Sequence, residues 1–257
     1  MGVVAYDGTD FRGWQSQRGG HTIQDFLEAR LAVVFKTPVR VHGSGRTDSG
    51  VHARAQVFHF DAAWDHPVSH LERALRVGLP AGILVRSVRP APADFHARQS
   101  AVGKRYCYRL YEGLALPFDS RFVTSLGRRR LEDGPMREAA QLLLGRHDFS
   151  AFCADRRDGS REDPVKDLRR LEVTRRGNHL RITTEASGYL YKMVRSLAGA
   201  LIDVGLGKLT PADIDRILRN RQRTTEVVTA PARGLTLERV FYGSALPKAK
   251  AIPTVKE

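Results

Sequence analysis

A short glycine-rich segment carries the charged side chains best suited to chemistry. Residues 43–60 read GSGRTDSGVHARAQVFHF, with Arg46 and Asp48 two positions apart among small residues. Glycine lets the backbone turn tightly or approach another molecule closely. The alternation that follows predicts a strand from Arg54 to Phe60. The charged pair is therefore expected on a loop at the mouth of a strand, where a rigid sheet can aim side chains at a ligand.

The same loop also has a purely structural interpretation. Asp-Ser-Gly is a common turn in which the aspartate binds its own backbone, and turn preferences alone favour this over catalysis. A lone carboxylate can instead attack a substrate or stabilise a developing positive charge. His52 and His59 lie on a turn and a strand, would not share a metal-binding face, and are interpreted as structural.

The run GRTDxGVHA, followed by QV and a hydrophobic strand, closely resembles the active-site motif of TruA-type tRNA pseudouridine synthases. The resemblance implies that Asp48 is the catalytic nucleophile and that Arg46 helps to flip the target base. The stretches YDGTxFxGWQ, FHAR, KRYxY and YKMVR also resemble this family. They imply that Tyr106 packs against the target uracil, that Arg195 lies near Asp48, and that Arg98 contacts tRNA.

Two further resemblances lie in the second half of the chain. Gly234-Leu235 resembles the hydrophobic wall of the uracil pocket, so Leu235 is expected to bind substrate. The resemblance also implies that Arg161 falls on a tRNA-contacting loop, although Glu162-Asp163 replaces the neutral continuation usual in the family. Together these stretches imply a homodimer that converts uridine to pseudouridine at positions 38, 39 and 40 of the tRNA anticodon stem-loop.

The charge balance indicates an acidic partner. The 257 residues carry a formal net charge of +14, and their basic side chains are 34 arginines and 8 lysines. Arginine binds phosphate bidentately and stacks on bases, which favours RNA or DNA. An arginine-rich genome and an acidic membrane surface are the alternatives. If tRNA is the partner, we expect its phosphates to contact Arg128 to Arg130, Arg161 and Arg219 to Arg223.

Other features restrict the class of protein. The sequence has no long uncharged apolar run and no secretory signal, so no membrane span is expected. Cys107 and Cys153 have no metal-like spacing and fit free thiols in a reducing cytoplasm. No GxxxxGK[ST], HExxH or cysteine cluster is present, so neither cofactor nor metal is predicted. An isomerisation would need neither.

Two other classes of function remain open from the residues. A non-catalytic RNA-binding module of RRM-like build would keep the basic sheet and Tyr106 but would not need Asp48. An RNA N-glycosylase would use one carboxylate but release the free base. The nature of the product therefore distinguishes both classes from a pseudouridine synthase.

The alternation of helical and extended patterns predicts an α+β fold. The resemblance implies two RRM-like or ferredoxin-like α+β halves, joined through a mostly antiparallel sheet with a central basic cleft. Their predicted extents are residues 1–100 and 101–244, followed by a disordered tail over 245–257. The predicted helices are 22–35, one starting at Ser69 with a capping box to Glu72, 135–144, 188–204 and one starting after Thr210. A hairpin is predicted over 168–186.

Overall fold

The computed structural model describes residues 1–155 and 162–243. The described residues form ten strands, with these bounds: β1 Gly2–Tyr6, β2 His42–Gly43, β3 His52–His59, β4 Ile83–Val88, β5 Ala101–Tyr111, β6 Thr124–Ser125, β7 Gly145–Asp148, β8 Val165–Arg176, β9 His179–Ala186 and β10 Leu235–Tyr242. The α-helices are α1 Ile23–Phe35, α2 Val68–Arg76, α3 Asp133–Leu142, α4 Met193–Gly205 and α5 Pro211–Asn220.

All ten strands belong to one sheet, which confirms the α+β prediction. Eight of them form the path β4-β1-β3-β10-β5-β9-β8-β7, while β2 pairs with β3 and β6 with β5. The pairing is antiparallel except for β3 with β10 and β5 with β6. The contact between β3 and β10 joins the first four strands to the last six. It places the start of β3, where the glycine-rich loop ends, beside the start of β10.

Strand alternation gives the C-terminal part of the sheet one apolar and one polar face. Tyr106 and Tyr108 on β5 share a face with their partners Leu237 and Leu235, and all four are buried. Helix α4 packs against β5 and helix α3 against β8. The intervening β5 residues take the opposite face, where Arg105 pairs with Glu185.

Helices α1 and α5 begin as the sequence predicts. Thr22 and Thr210 are their N-caps, and each hydroxyl accepts a hydrogen bond from the backbone N–H three residues later. An aspartate at that third position completes a capping box in both helices. Within the described residues, no helix is long and apolar enough to cross a membrane.

Three predicted helix starts were wrong. Helix α3 begins at Asp133 rather than at about Pro135, so Pro135 lies within its first turn. Helix α2 begins at Val68 after Pro67, whose φ of −52° already suits entry into a helix. Ser69 consequently lies inside the helix, and Glu72 binds Arg76 instead. Helix α4 begins at Met193 rather than at residue 188, because the preceding segment makes tertiary contacts. In that segment Tyr189 packs its ring against Tyr106, with centroids 5.2 Å apart.

Candidate active site

The loop between β2 and β3 is held by a buried glutamine. The Gln56 side chain donates to the carbonyl oxygen of Gly45 at 2.7 Å and accepts from the Ser44 hydroxyl at 2.6 Å. Thr47 is fixed separately, because its hydroxyl bonds to the Tyr6 hydroxyl at 2.9 Å and its carbonyl accepts from the N–H of Trp14. The backbone on both sides of Arg46 is therefore fixed before any ligand binds.

The far end of the loop is equally well anchored. The Val51 N–H donates to the carbonyl oxygen of Asp48, which closes a turn. His52 follows in a buried position, where its Nδ1 accepts from the Gly8 N–H at 3.0 Å and its Nε2 lies 3.1 Å from the carbonyl oxygen of Arg233. Burial lowers the pKa of His52, so the ring is neutral at pH 7. His52 thus connects three segments around the loop.

Asp48 lies opposite an arginine from the distant helix α4. The Nη1 atom of Arg195 donates to Oδ2 of Asp48 at 2.8 Å, which is the pairing that the sequence led us to expect. The Asp48 side chain remains 25% exposed and that of Arg195 14%. The guanidinium therefore covers one side of the carboxylate and leaves it accessible from solvent.

Arg195 is in turn held by the segment before β10. Its Nε donates to the carbonyl oxygen of Ala230 at 2.7 Å, and its own carbonyl accepts from the N–H of Ala230 at 3.0 Å. Gly199 lets this segment approach α4, because a Cβ atom there would overlap the carbonyl oxygen of Val228. These two bonds to Ala230, one from the backbone and one from the guanidinium, hold Arg195 in the orientation that meets Asp48.

Tyr106 lies next to this pair and is largely covered. Its side chain is on the apolar face of β5, its residue is 7% exposed, and its ring makes an edge contact with Tyr189. Burial is the main cause that raises its pKa, and the nearby Tyr6 and Asp48 raise it further. Within the described residues its hydroxyl makes no hydrogen bond, whereas those of Tyr6 and Tyr189 do. A neutral phenol is thus available beside the carboxylate.

Comparison with known proteins identifies the family of this chain. A family model described as tRNA pseudouridine synthase matches residues 3–99 and 139–243. The chain belongs to the tRNA pseudouridine synthase family. It is 42% identical over 241 residues to tRNA pseudouridine synthase A of Geobacillus kaustophilus, covering 93% of each chain. The corresponding enzyme of Bacillus subtilis is 41% identical over 242 residues, covering 93% of this chain and 97% of the relative.

Membership in the tRNA pseudouridine synthase family makes the chain an enzyme that converts uridine in tRNA to pseudouridine. It resolves the alternatives that the residues left open, because neither a passive RNA-binding module nor an N-glycosylase performs this isomerisation. Further support comes from tRNA pseudouridine synthase A of Halalkalibacterium halodurans, which is 42% identical over 233 residues, covering 90% of this chain and 88% of the relative.

The remaining predicted site residues differ in accessibility. Leu235 opens β10 and is 5% exposed opposite Tyr108. Arg46 is exposed, and its Nε donates to the Gln15 side chain at 3.3 Å. The Arg98 side chain is 61% exposed and pairs with Glu162 at 3.1 Å. Arg161 lies outside the described residues, as does the predicted tail over 245–257.

The arginines expected to meet phosphate are not equivalent. Arg223 is turned inward and donates to the Ser196 hydroxyl and to the carbonyl oxygen of Val227. Its contact with tRNA phosphate stays a prediction, although these two donor groups are bound to the protein. Arg219 is exposed but paired with Asp215 at 2.8 Å. The Arg130 side chain is 85% exposed, and for Arg128 to Arg130 phosphate contact stays a prediction.

Sequence reasoning missed the groups that hold the site rigid. Gln56 was quoted only as part of the QV that follows the motif and was given no role, and Ala230 was not singled out. A polar residue at a position expected to be buried, such as Gln56, is a usable signal, because buried amides require partners. Ala230 gives no such signal, since it binds Arg195 through its backbone.

The role of Gln56 can be tested with Gln56→Leu. Because the change leaves the Ser44 hydroxyl and the Gly45 carbonyl without their partner, we expect the free energy of unfolding to fall by about 1–3 kcal/mol. Turnover should fall by about ten-fold as the loop loosens. Urea denaturation and steady-state kinetics measure the two effects. Gln141→Leu, at an exposed position of α3, is the control, and equal stability of the two variants would contradict the account.

Proposed function

We propose that this synthase modifies uridines 38, 39 and 40 of the tRNA anticodon stem-loop, with Asp48 as the nucleophile. The observation that carries the proposal is the Asp48 carboxylate, which is solvent-accessible yet held at 2.8 Å by Arg195. A carboxylate in fixed geometry is suited to attack a sugar or base carbon. In addition, the similarity of this chain to proteins named tRNA pseudouridine synthase A spans more than nine-tenths of its length.

The reaction exchanges one glycosidic bond for another. The N1–C1′ bond of uridine breaks, the detached ring turns, and a C5–C1′ bond forms. C5 then loses its proton, and N1 gains one, so the product is an isomer. The Asp48 carboxylate forms one bond to the substrate and releases it before the product leaves. No electrons are transferred, and we propose that the enzyme needs no cofactor.

Arg46 and Tyr106 would act on the target nucleotide. Arg46 is exposed beside the catalytic loop, where it can enter the stem as the base leaves and offset an unstacking cost of a few kcal/mol. Tyr106 offers an aromatic ring near Asp48 and a hydroxyl that makes no hydrogen bond within the described part of the chain. Leu235 would form the apolar wall of the uracil pocket. Arg98 and Arg161 would contact the tRNA backbone.

Tyr106→Phe separates the ring from the hydroxyl. We expect unchanged tRNA affinity, because the ring remains, and about a hundred-fold lower kcat, because a positioned proton carrier is lost. Tyr106→Ala should also weaken tRNA binding by about 1–3 kcal/mol if the ring stacks on the flipped base. Filter binding and product kinetics measure both. Unchanged kcat for the phenylalanine variant would show that the hydroxyl has no part in the reaction.

The wider organisation is also part of the proposal. Residues 1–100 and 101–244 would be two halves, with the tRNA entering a basic cleft between them. A homodimer would let one subunit bind the body of the tRNA while the other presents Asp48 to the anticodon arm. The cytoplasm, where tRNA is matured, is the proposed location.

Tritium release tests the proposed positions. Replacing H5 of uridine by a bond to C1′ releases the label of [5-³H]uridine, so transcripts that carry uridine at only 38, 39 or 40 report each position separately. We expect release from each of the three and none from a transcript with cytidine at all three. The transcript with cytidine at all three positions still carries labelled uridine elsewhere. Tritium release from it would contradict the assigned positions.

A further inference from the structure

Lys104 is a cation beside the catalytic loop that the proposed mechanism does not use. It lies two residues before Tyr106 on β5, so both side chains take the same face of the strand. Its Nζ atom lies against Gly45, 2.5 Å from where a Cβ atom on that residue would be. Because Gly45 has no Cβ atom, the Lys104 ammonium group can occupy this space. Gly45 is the residue that precedes Arg46.

The ammonium group of Lys104 has no partner among the residues that the structure describes. Within residues 1–155 and 162–243 it makes neither an ion pair nor a hydrogen bond, although the residue is half-buried. Nor does the backbone N–H of Gly45 have an acceptor in the same residues. Two donors without acceptors, one of them charged, thus lie side by side. A half-buried charge without a partner is unfavourable for folding, so it calls for a functional explanation.

We propose that Lys104 is a substrate-positioning residue whose ammonium group binds a phosphate of the tRNA strand as it passes Gly45 toward Asp48. Phosphate is the anion that tRNA supplies at every nucleotide, and a lysine ammonium binds it as a point charge. The inference rests on the proposed function, because it takes the anticodon arm as the ligand. The inference adds a phosphate contact beside Gly45, the residue that immediately precedes Arg46 in the loop.

The electrostatics of Lys104 agree with a site awaiting an anion. Burial, and to a lesser extent the Arg98 guanidinium, lower its pKa to about 8, and the Glu162 carboxylate opposes both. A bound phosphate would raise the pKa, because it stabilises the charged form. Affinity from this contact is then complete below pH 8 and is lost as the pH rises above it. An arginine at position 104 would stay charged throughout and remove that dependence.

Binding of unmodified tRNA by Lys104→Met, measured against salt and pH, tests the proposal. At pH 7 we expect about ten-fold weaker binding and a salt slope smaller by about 0.7–0.9, the value for one phosphate contact. Lys104→Arg should retain the affinity of the wild type and keep it from pH 7 to 9, where the wild type weakens. Lys208→Met, which removes an exposed lysine paired with Asp203, is the charge-matched control.

Thermal melting distinguishes this role from a structural one. Because Lys104→Met removes an unpartnered charge, its Tm should equal or exceed that of the wild type. A lowered Tm with an unchanged salt slope, or binding equal to that of Lys208→Met, would overturn the proposal. The pseudouridine positions formed by the wild type report separately on the proposed function. Pseudouridine formed only outside positions 38–40 would refute the proposed function. The difference in tRNA binding between Lys104→Met and the wild type would still test the phosphate contact.

Discussion

Asp48→Asn should lower kcat by more than about a hundred-fold, the largest effect expected of any substitution in this enzyme. Asparagine preserves the size of the side chain, and its carbonyl oxygen can still accept the hydrogen bond from Arg195. It carries no charge and cannot form the bond to the substrate that a carboxylate forms. Tritium release from uridine-labelled tRNA measures the loss directly.

The loss should be confined to the chemical step. Since Asp48 is one partly exposed carboxylate on a loop anchored by other residues, tRNA affinity and Tm should remain close to wild type. Asp215→Asn is a suitable control, because Asp215 forms an ion pair of the same 2.8 Å length with Arg219 on α5. Residual turnover above about a hundredth of the wild type in Asp48→Asn would exclude a nucleophilic role.

The second large effect is expected for Arg195. Arg195→Met removes the donor that fixes Asp48 and leaves the carbonyl oxygen of Ala230 without its side-chain partner. We expect kcat to fall by about a hundred-fold, the scale of a misplaced catalytic group. Arg195→Lys should recover only part of the lost kcat. A single ammonium group cannot bind Asp48 and the carbonyl oxygen of Ala230 together as the guanidinium group does.

Kinetics can separate positioning from binding at Arg195. If the arginine orients the carboxylate, kcat falls while KM for tRNA stays within about two-fold of wild type. Arg216→Met removes an arginine of comparable charge that pairs with Asp213 and Glu226 on the surface, and it should retain full turnover. A raised KM with unchanged kcat in Arg195→Met would instead make Arg195 a tRNA-binding residue.

Much of the fold was predictable because local signals agree with tertiary structure. Helices α1 and α5 have a threonine N-cap with an aspartate three residues later, and their starts were predicted correctly. The hairpin of β8 and β9 forms across Gly177-Asn178 as predicted. In each case the deciding information lies within a few residues of the feature.

The features that sequence did not reveal depend on distant partners. Tyr189 lies outside the helix predicted for it, and its ring packs against that of Tyr106 on strand β5. Arg223 follows Arg219 and Arg221 in a basic run, yet folding turns it toward Ser196. The Asp48–Arg195 pair joins residues 147 positions apart, and it was expected only because the family motif suggested it. Spacing alone contains none of these long-range contacts.

One comparison tests the central claim most directly. Wild type and Asp48→Asn are incubated with the same unmodified tRNA, the anticodon-arm fragment is isolated, and its nucleosides are separated by chromatography. The account predicts pseudouridine in place of uridine at 38–40 with the wild type, and unchanged uridine with the variant. Pseudouridine formed at these positions by Asp48→Asn, or formed by the wild type only elsewhere in the tRNA, would contradict it.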